Sequence, residues 1–567
     1  MLLTVPTVIS VILLVIIVIY YYFKYGPNGQ QKKRFRKRDK IMFYGRRFIR
    51  RLRKIKRKQL KKLTRISKPP IVWTGNANNN NNKDLPSRGF KTVALFPNSF
   101  EVPICSFSRE LHYNLVNENV VHLTSEKALA QLGPDGFQDE QTLQTWLEQQ
   151  EDSHRSILYQ CDFGLTNWTR VCLNRAKCIL VVALAQSEPQ ITSYEQQLYS
   201  QSPEAPIELV LLHKLDAKKP KHTNIWLSIR SWCPVHHIRC PQRVFVRKRC
   251  KIEDIYNRLA RTCPSADSDF SRLSRYLTGS SIGLVLGGGG ARGAAHLGII
   301  KALHEANIPI DMIGGVSIGA FMGALWAQET DLTPVTQLAR DWSIKMTSRW
   351  RQIVDLTYPI TAMFTGAAFN RTIHEAFGDR QIEDLWIPYF TVTTDITSSA
   401  PRIHRHGSLW RYVRSSMSLS GYLPPLCDPI DGHLLLDGGY VNNLPADVMH
   451  NVMGAKTILA IDVGSQDETD LTDYGDTLNG WWLLWKRWNP FCEQVKVPSL
   501  PEIQSRLAYV SCVRQLEEVK KSDYCAYIRP PIDPYKTMQF NAFDQILEIG
   551  YEHGRLMFPD EKAVLQS

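Results

Sequence analysis

The sequence predicts an α/β protein in which parallel strands alternate with helices in two successive domains. Three observations predict it. The stretch Leu284-Val-Leu-Gly-Gly-Gly-Gly-Ala-Arg-Gly-Ala-Ala-His-Leu-Gly298 is an apolar run, a glycine-rich turn and an amphipathic helix. A helix later, Met312-Ile-Gly-Gly-Val-Ser-Ile-Gly-Ala320 repeats strand, turn and helix. Upstream, short apolar runs at 92–96, 120–123, 156–159, 178–182 and 208–212 alternate with helical segments such as 110–116 and 168–175. In a parallel sheet, the two glycine-bearing turns meet at one edge.

Each turn carries chemistry. Gly315-x-Ser317-x-Gly319 between a strand and a helix is the pattern of a nucleophile elbow. Gly315 and Gly319 flank the serine because the neighbouring strand and helix leave no room for a Cβ. The Ser317 hydroxyl then stands at a helix N-terminus, which favours developing negative charge. The turn from Gly287 to Gly293 contains Gly288-x-Gly290-x-x-Gly293, which on its own suggests a dinucleotide fingerprint. No acidic residue ends a second strand at the expected distance, and the next strand ends in Ser317. The better reading is an oxyanion hole: the N–H groups of Gly288, Gly289, Gly290 and Gly293 point at an anion, with Arg292 adding charge or bracing the loop.

A serine nucleophile needs a base. Leu434-Leu-Leu-Asp-Gly-Gly-Tyr-Val-Asn-Asn-Leu-Pro445 is an apolar run that ends in Asp437-Gly438-Gly439. It places a carboxylate on a turn at a strand end, where a plain Asp-Gly turn is the bland alternative. Asp395 and Asp462 also end candidate strands and are rival bases. His296 and His304 are the nearby histidines, read as helix-face residues.

With these motifs the chain resembles the patatin-like phospholipases, whose signature is a glycine-rich oxyanion loop, Gly-x-Ser-x-Gly and Asp-Gly-Ala/Gly. It resembles most the neuropathy target esterase branch. Asp462-Val-Gly-Ser-Gln-Asp-Glu-Thr-Asp, Gly480-Trp-Trp-Leu-Leu-Trp-Lys-Arg-Trp488 and Ser415-Ser-Met-Ser-Leu-Ser-Gly-Tyr-Leu-Pro-Pro425 are similar to that branch. The resemblance runs from about residue 91 to 559. It implies a three-layer domain with a central sheet and a Ser317–Asp437 dyad, with no histidine and no metal or other cofactor. Full-length members of the branch carry cyclic-nucleotide-binding modules. Only about twenty residues separate the basic arm from the first folded domain here, so no cyclic nucleotide is expected as a partner.

The chain has 567 residues, 44% of them apolar, enough to bury more than one core. Its net charge of +15 is uneven: residues 24–68 hold 21 Lys/Arg and one acid, Asp39, leaving the rest at −5. Before that arm, residues 2–23 form 22 uncharged residues rich in Val, Ile and Leu, ending Tyr20-Tyr-Tyr22. As a helix they reach about 33 Å, enough for a bilayer core of about 30 Å. A cleaved signal peptide predicts a basic start and a small-residue cleavage site, and both are missing. The basic flank is C-terminal, which predicts a single-pass anchor with the rest of the chain cytosolic. Phe48, Leu52 and Ile55 at helical spacing among cations suit a membrane-surface helix, and nucleic acid is not the expected partner. The resemblance adds the endoplasmic reticulum as the membrane.

Twelve cysteines do not make a disulfide scaffold at this length. Cys233-Pro-Val-His-His-Ile-Arg-Cys240 invites zinc, but four ligands within eight residues rarely wrap a tetrahedron. The expected organisation is a transmembrane signal-anchor helix (1–23), a polybasic juxtamembrane arm (24–68), an Asn-rich linker (69–90), a small α/β domain of no assigned chemistry (91–250), a helical connector (251–280), the patatin-like domain (281–529) and a C-terminal extension read as a covering helix with loops (530–567). The segment 480–488, with four tryptophans, is either a core helix or a piece that touches membrane or gates the acyl channel. The expected activity, implied by the resemblance, is hydrolysis of fatty-acyl esters of lysophospholipids and phospholipids such as lysophosphatidylcholine and phosphatidylcholine. A triacylglycerol lipase or acyltransferase with the same dyad is the enzymatic alternative, and a non-catalytic membrane scaffold the other.

Overall fold

The structure is a computed structural model. It describes residues 89–559 apart from 116–118, 201–204, 231–232, 247–248, 260–261, 349–352, 465–470 and 489–494. The expected anchor, the polybasic arm and the linker up to residue 88 lie outside the described residues. Among the described residues no helix is long and apolar enough to cross a membrane.

The first domain is built on six parallel strands in the order β2-β3-β1-β4-β5-β6. These are β1 (Thr92–Pro97), β2 (Val120–Thr124), β3 (Ser156–Gln160), β4 (Cys178–Leu184), β5 (Ile207–Lys214) and β6 (Val235–Cys240). Helices cover both faces, so the central strands read as near-continuous apolar runs, as in Cys178-Ile-Leu-Val-Val-Ala-Leu184. The period of two divides each strand between two cores. Ala94 and Phe96 enter the core on one face, and Val93 and Leu95 the core on the other. Phe270, Leu273 and Leu277, on the helix Asp269–Leu277, join that second core. This part of the expected connector therefore packs under the first sheet.

The second sheet has eight strands: β7 (Ile282–Leu286), β8 (Met312–Gly315), β9 (Tyr389–Asp395), β10 (Ala400–His404), β11 (Leu426–Cys427), β12 (Leu434–Asp437), β13 (Thr457–Ile461) and β14 (Cys525–Ile528). The order is β11-β12-β9-β8-β7-β13-β14, with β10 beside β9. The strands β9, β8, β7, β13 and β14 run parallel. The others are antiparallel, and this places the acid. Strand β9 pairs with the end of β8 at Thr391 and continues four residues further to Asp395. Strand β12 returns along that overhang and ends with Asp437 opposite Thr393. The carboxylate thus stops level with the turn that follows β8. Gly438 permits the close approach, because a Cβ there would lie 2.2 Å from the Val392 carbonyl oxygen.

The helix Phe543–Met557 lies against Ala294–Glu305, the helix that follows the glycine loop. Glycines set the spacing: a Cβ on Gly298 would sit 2.1 Å from the Leu547 carbonyl oxygen, and one on Gly550 2.4 Å from that of Ala295. The core reading of 480–488 is corrected. In the helix Gly480–Trp488, Trp481, Trp482, Leu484 and Trp485 are all exposed, Trp481 to 81%.

Candidate active site

The turn after β8 is strained where the sequence places a nucleophile. Ser317 has φ +54° and ψ −124°, a region that a residue with a Cβ enters only when its surroundings hold it there. The holding groups are nearby. The Val316 N–H donates to the Leu286 carbonyl at 3.1 Å, and the Gly319 N–H to the Val316 carbonyl at 2.9 Å. The Ser317 N–H donates to the Ser416 hydroxyl at 3.0 Å, which itself donates to the Val392 carbonyl at 2.7 Å. The helix Ile318–Glu329 starts at once, so Ser317 occupies its N-terminus.

The Ser317 hydroxyl donates to Asp437 Oδ2 at 2.9 Å. The other oxygen, Oδ1, accepts the Gly439 N–H at 2.8 Å. Asp437 is only 2% exposed. Burial pushes its carboxyl up to about 7, while the Gly439 N–H and the Ser317 hydroxyl pull the other way. A carboxylate with that affinity is matched to taking a proton near neutral pH.

The glycine loop closes the site from the β7 side. The Gly287 N–H is bound to the Ile461 carbonyl at 2.9 Å, that of Ala291 to Thr537 at 2.7 Å, and that of Gly288 to Asn443 at a long 3.4 Å. Gly288, Gly289 and Gly290 all line the cavity in front of Ser317. A side chain on any of them would collide: Gly288 with Asn443 Oδ1 at 2.6 Å, Gly289 with the Val463 carbonyl oxygen at 2.2 Å, and Gly290 with that of Thr537 at 2.3 Å. Gly293 is not among the residues lining this cavity and instead seats Ile318, whose Cγ1 would be 2.4 Å from its Cβ. Arg292 is buried, and its guanidinium donates to the Gly289 carbonyl at 3.3 Å and to Thr537 Oγ1 at 3.5 Å. Of the two roles expected for it, bracing the loop is the one its contacts describe.

The rival bases are engaged elsewhere. Asp395 accepts the N–H groups of Thr397 and Ser398 and the His433 ring at 2.7 Å. Burial opposes its ionisation, but these bonds hold it well below the usual carboxylate range. Asp462 binds the Tyr527 hydroxyl at 2.6 Å and Arg529 at 3.0 Å. His304 is exposed at the far end of its helix. His296 lies on the buried face of its helix: fully buried, it bonds through Nε2 to the Gly287 carbonyl at 2.9 Å, and burial pushes its pKa down to about 4. We expect His304→Ala to keep turnover within about twofold, as for most exposed positions. His296→Ala is expected to lower Tm and to keep the pH dependence of the wild type. A pH–rate profile of each variant checks this, and a vanished limb in either would give the proton to histidine.

Two contributors were not legible in the sequence. Ser416 and Asn443 fall within stretches that resemble the family, yet their partners, Ser317 and Gly288, are 99 and 155 residues away. The suspected zinc set divides. His236 binds Glu208 at 2.8 Å, while His237 binds His213 at 2.9 Å and the Glu383 carbonyl. Among the described residues no group of three or more His, Cys, Asp or Glu is placed to hold a metal.

The cavity measures about 1230 Å³, its open mouth included. Its walls are apolar, among them Trp342, Phe364, Phe369, Met417, Leu423 and Phe540. A half-buried serine hydroxyl bonded to a buried carboxyl, a glycine loop and an apolar cleft can together perform acyl transfer from an ester with a long apolar tail.

Two family models match the chain. Residues 89–279 match the Neuropathy Target Esterase family P-loop like domain, and residues 284–450 match Patatin-like phospholipase. The first description invites a nucleotide phosphate, but the residues do not fit one. The turn after β1, Asn98-Ser-Phe-Glu-Val-Pro103, has neither glycine nor lysine. Beside it, Asn98 donates to the buried Glu195 carboxylate at 2.6 Å, which Arg230 pairs at 2.7 Å. Among curated proteins, "Neuropathy target esterase sws" of Drosophila melanogaster is 59% identical over 475 residues, covering 83% of this chain and 33% of the relative. "Patatin-like phospholipase domain-containing protein 6" of Homo sapiens is 56% identical over 479 residues, covering 83% and 35%. That of Mus musculus gives the same identity and coverage. The chain thus spans about a third of the length of these relatives. With a P-loop-like domain of the esterase family followed directly by a patatin domain, the chain belongs to the neuropathy target esterase branch of the patatin-like phospholipases.

Proposed function

We propose that the chain is a serine hydrolase that releases fatty acid from lysophospholipids and phospholipids, with lysophosphatidylcholine and phosphatidylcholine as the substrate class. The observation that carries this reading is the 2.9 Å bond from the Ser317 hydroxyl to a buried Asp437, in an apolar cavity also lined by Gly288, Gly289 and Gly290. In the first step Asp437 takes the hydroxyl proton as Ser317 Oγ attacks the acyl carbonyl. The oxyanion faces the loop of Gly288, Gly289 and Gly290 and the N-terminus of the helix Ile318–Glu329. Asp437 passes the proton to the leaving glycerol oxygen. Water then cleaves the acyl-enzyme, with Asp437 again accepting a proton.

The pH dependence follows. Asp437 must be ionised to act, and its affinity lies near pH 7. Turnover is therefore expected to rise with pH through about 7 and to level off above it. A rate measured at saturating lysophosphatidylcholine across pH 5 to 9 checks this. A flat profile from pH 5 upward would remove Asp437 as the base.

The chain's apolar stretch at 2–23 and its polybasic arm supply the rest of the reading: a single-pass anchor in the endoplasmic reticulum with the hydrolase on the cytosolic side. Protease added to intact microsomes should digest the hydrolase domain. Protection until detergent is added would reverse the orientation. For the substrate, the deciding experiment is a panel of lipid esters given to the purified protein. Fatty acid released from lysophosphatidylcholine ahead of triacylglycerol supports the proposal, and the reverse order supports a triacylglycerol lipase.

A further inference from the structure

The helix Leu500–Lys521 is apolar on two opposite sides. Ala508, Cys512, Leu516 and Val519 are buried against the body, and Ala508 with its neighbour Tyr509 reaches the Ser317 cavity. On the other side Leu500, Ile503, Leu507 and Val510 recur at steps of three and four residues, and all are exposed, Val510 to 68%. That spacing makes a single stripe. A second rim of the cavity shows the same division. Asp355 and Phe364 line the cavity, while Ile353, Val354, Leu356, Tyr358 and Ile360 face out, Val354 to 82% and Ile360 to 85%. Soluble surfaces scatter large apolar side chains singly; rows of them beside a cavity mouth mark an interaction face.

We propose that these two rims are a docking surface for a phospholipid bilayer. They hold the mouth at the boundary of headgroups and acyl chains, so that a substrate lipid passes from the leaflet to Ser317 without crossing water. This rests on the lipid-ester reading above. Three features favour a bilayer over a protein partner. The rims surround an apolar cavity whose proposed substrate is itself a bilayer component. The helix Gly480–Trp488 exposes Trp481, Trp482 and Trp485, residues of the membrane interface belt. There the Lys486 ammonium lies 5.8 Å from the centre of the Trp482 ring, a cation set among aromatic side chains as at a headgroup boundary. Finally, about twenty residues link the first domain to a basic arm of net +20 and an uncharged 22-residue stretch.

The test uses the full chain in phosphatidylcholine vesicles that contain phosphatidylserine. An environment-sensitive fluorescent amino acid replaces Val354 or Val510, with exposed Gln144 of the first domain as the control. Quenching by nitroxide-bearing acyl chains at 354 and 510, and none at 144, is the expected result. In addition, Val354→Glu/Ile360→Glu/Leu507→Glu/Val510→Glu should lower hydrolysis of vesicle-borne lysophosphatidylcholine about tenfold or more. A water-soluble short-chain phenyl ester should still be cleaved by this variant at the wild-type rate. The proposal is overturned by unquenched probes at 354 and 510, or by unchanged bilayer hydrolysis in the variant. Shielding of the probes without lipid also overturns it: shielding that grows with protein concentration assigns the face to a second copy, and concentration-independent shielding assigns it to the chain itself. If the wild type cleaves no ester while the probes are quenched, the hydrolase reading fails and the docking surface stands.

Discussion

Asp437→Asn is expected to lower turnover on the order of a thousandfold or more and, at pH 8, to raise Tm. Both effects come from one carboxyl group. Asparagine keeps the shape and can still accept the Gly439 N–H, but it cannot take the Ser317 proton. The stability effect follows from proton linkage. Burial raises the folded pKa of Asp437 to about 7, above its ordinary 3.8. Between those values the folded state holds a proton that the unfolded state has lost. Stability therefore declines as pH rises from about 4 to about 7, and above 7 the full penalty is present, on the order of a few kcal/mol. The asparagine variant carries no such penalty. Thermal melts of the wild type and the variant at pH 5 and pH 8 check this: the variant should gain on the wild type at the higher pH. A constant Tm difference across that range would mean that Asp437 is not buried as an ionisable base.

Gly319→Ala is expected to destabilise the protein by about 3 kcal/mol or more and to abolish turnover in whatever folds. The added Cβ would lie 2.1 Å from the Leu286 carbonyl oxygen and 2.8 Å from that of Gly287. Both are backbone atoms, one of the strand and one of the glycine loop, and neither can swing aside. The clash would push the Ser317 turn away from the groups that face it. Gly323, four residues along the same helix, is the control. A Cβ there meets only side chains, the nearest being Ile313 Cγ1 at 3.4 Å. Gly323→Ala is therefore expected to be neutral or slightly stabilising, because alanine is the better helix former. Urea unfolding of the two variants decides between a steric role at Gly319 and a general dislike of alanine in this helix.

The difference between these glycines shows what a sequence reveals of a site. Gly315, Ser317 and Gly319 were legible because an elbow is a local device with fixed spacing. Asp437 stood out from Asp395 and Asp462 only through the resemblance of Asp437-Gly438-Gly439 to the family signature, since the residues alone read equally as a plain turn. The buried strands of both sheets were legible for a similar reason: strands covered on both faces are uninterrupted apolar runs. Strand β6, Val235-His-His-Ile-Arg-Cys240, was not among the expected strands, because its polar residues break the apolar run. It lies at a sheet edge, and its polar side chains are satisfied by partners such as Glu208, His213 and Glu383 that no local pattern announces. Ser416 and Asn443 escaped for the same reason, since their roles exist only once distant segments meet at Ser317 and Gly288. The tryptophan helix was undecided between core and surface because its four tryptophans suit either, and only its exposure in the fold separates the two.

The central claim, that Ser317 is made a nucleophile by Asp437, is tested most directly by a fluorophosphonate probe with the labelled peptide identified by mass spectrometry. The wild type should be labelled at Ser317 alone. Ser317→Ala should take no label, and Asp437→Asn should label far more slowly at the same residue. Label on another serine in Ser317→Ala, or full-rate labelling of Ser317 in Asp437→Asn, would contradict the dyad.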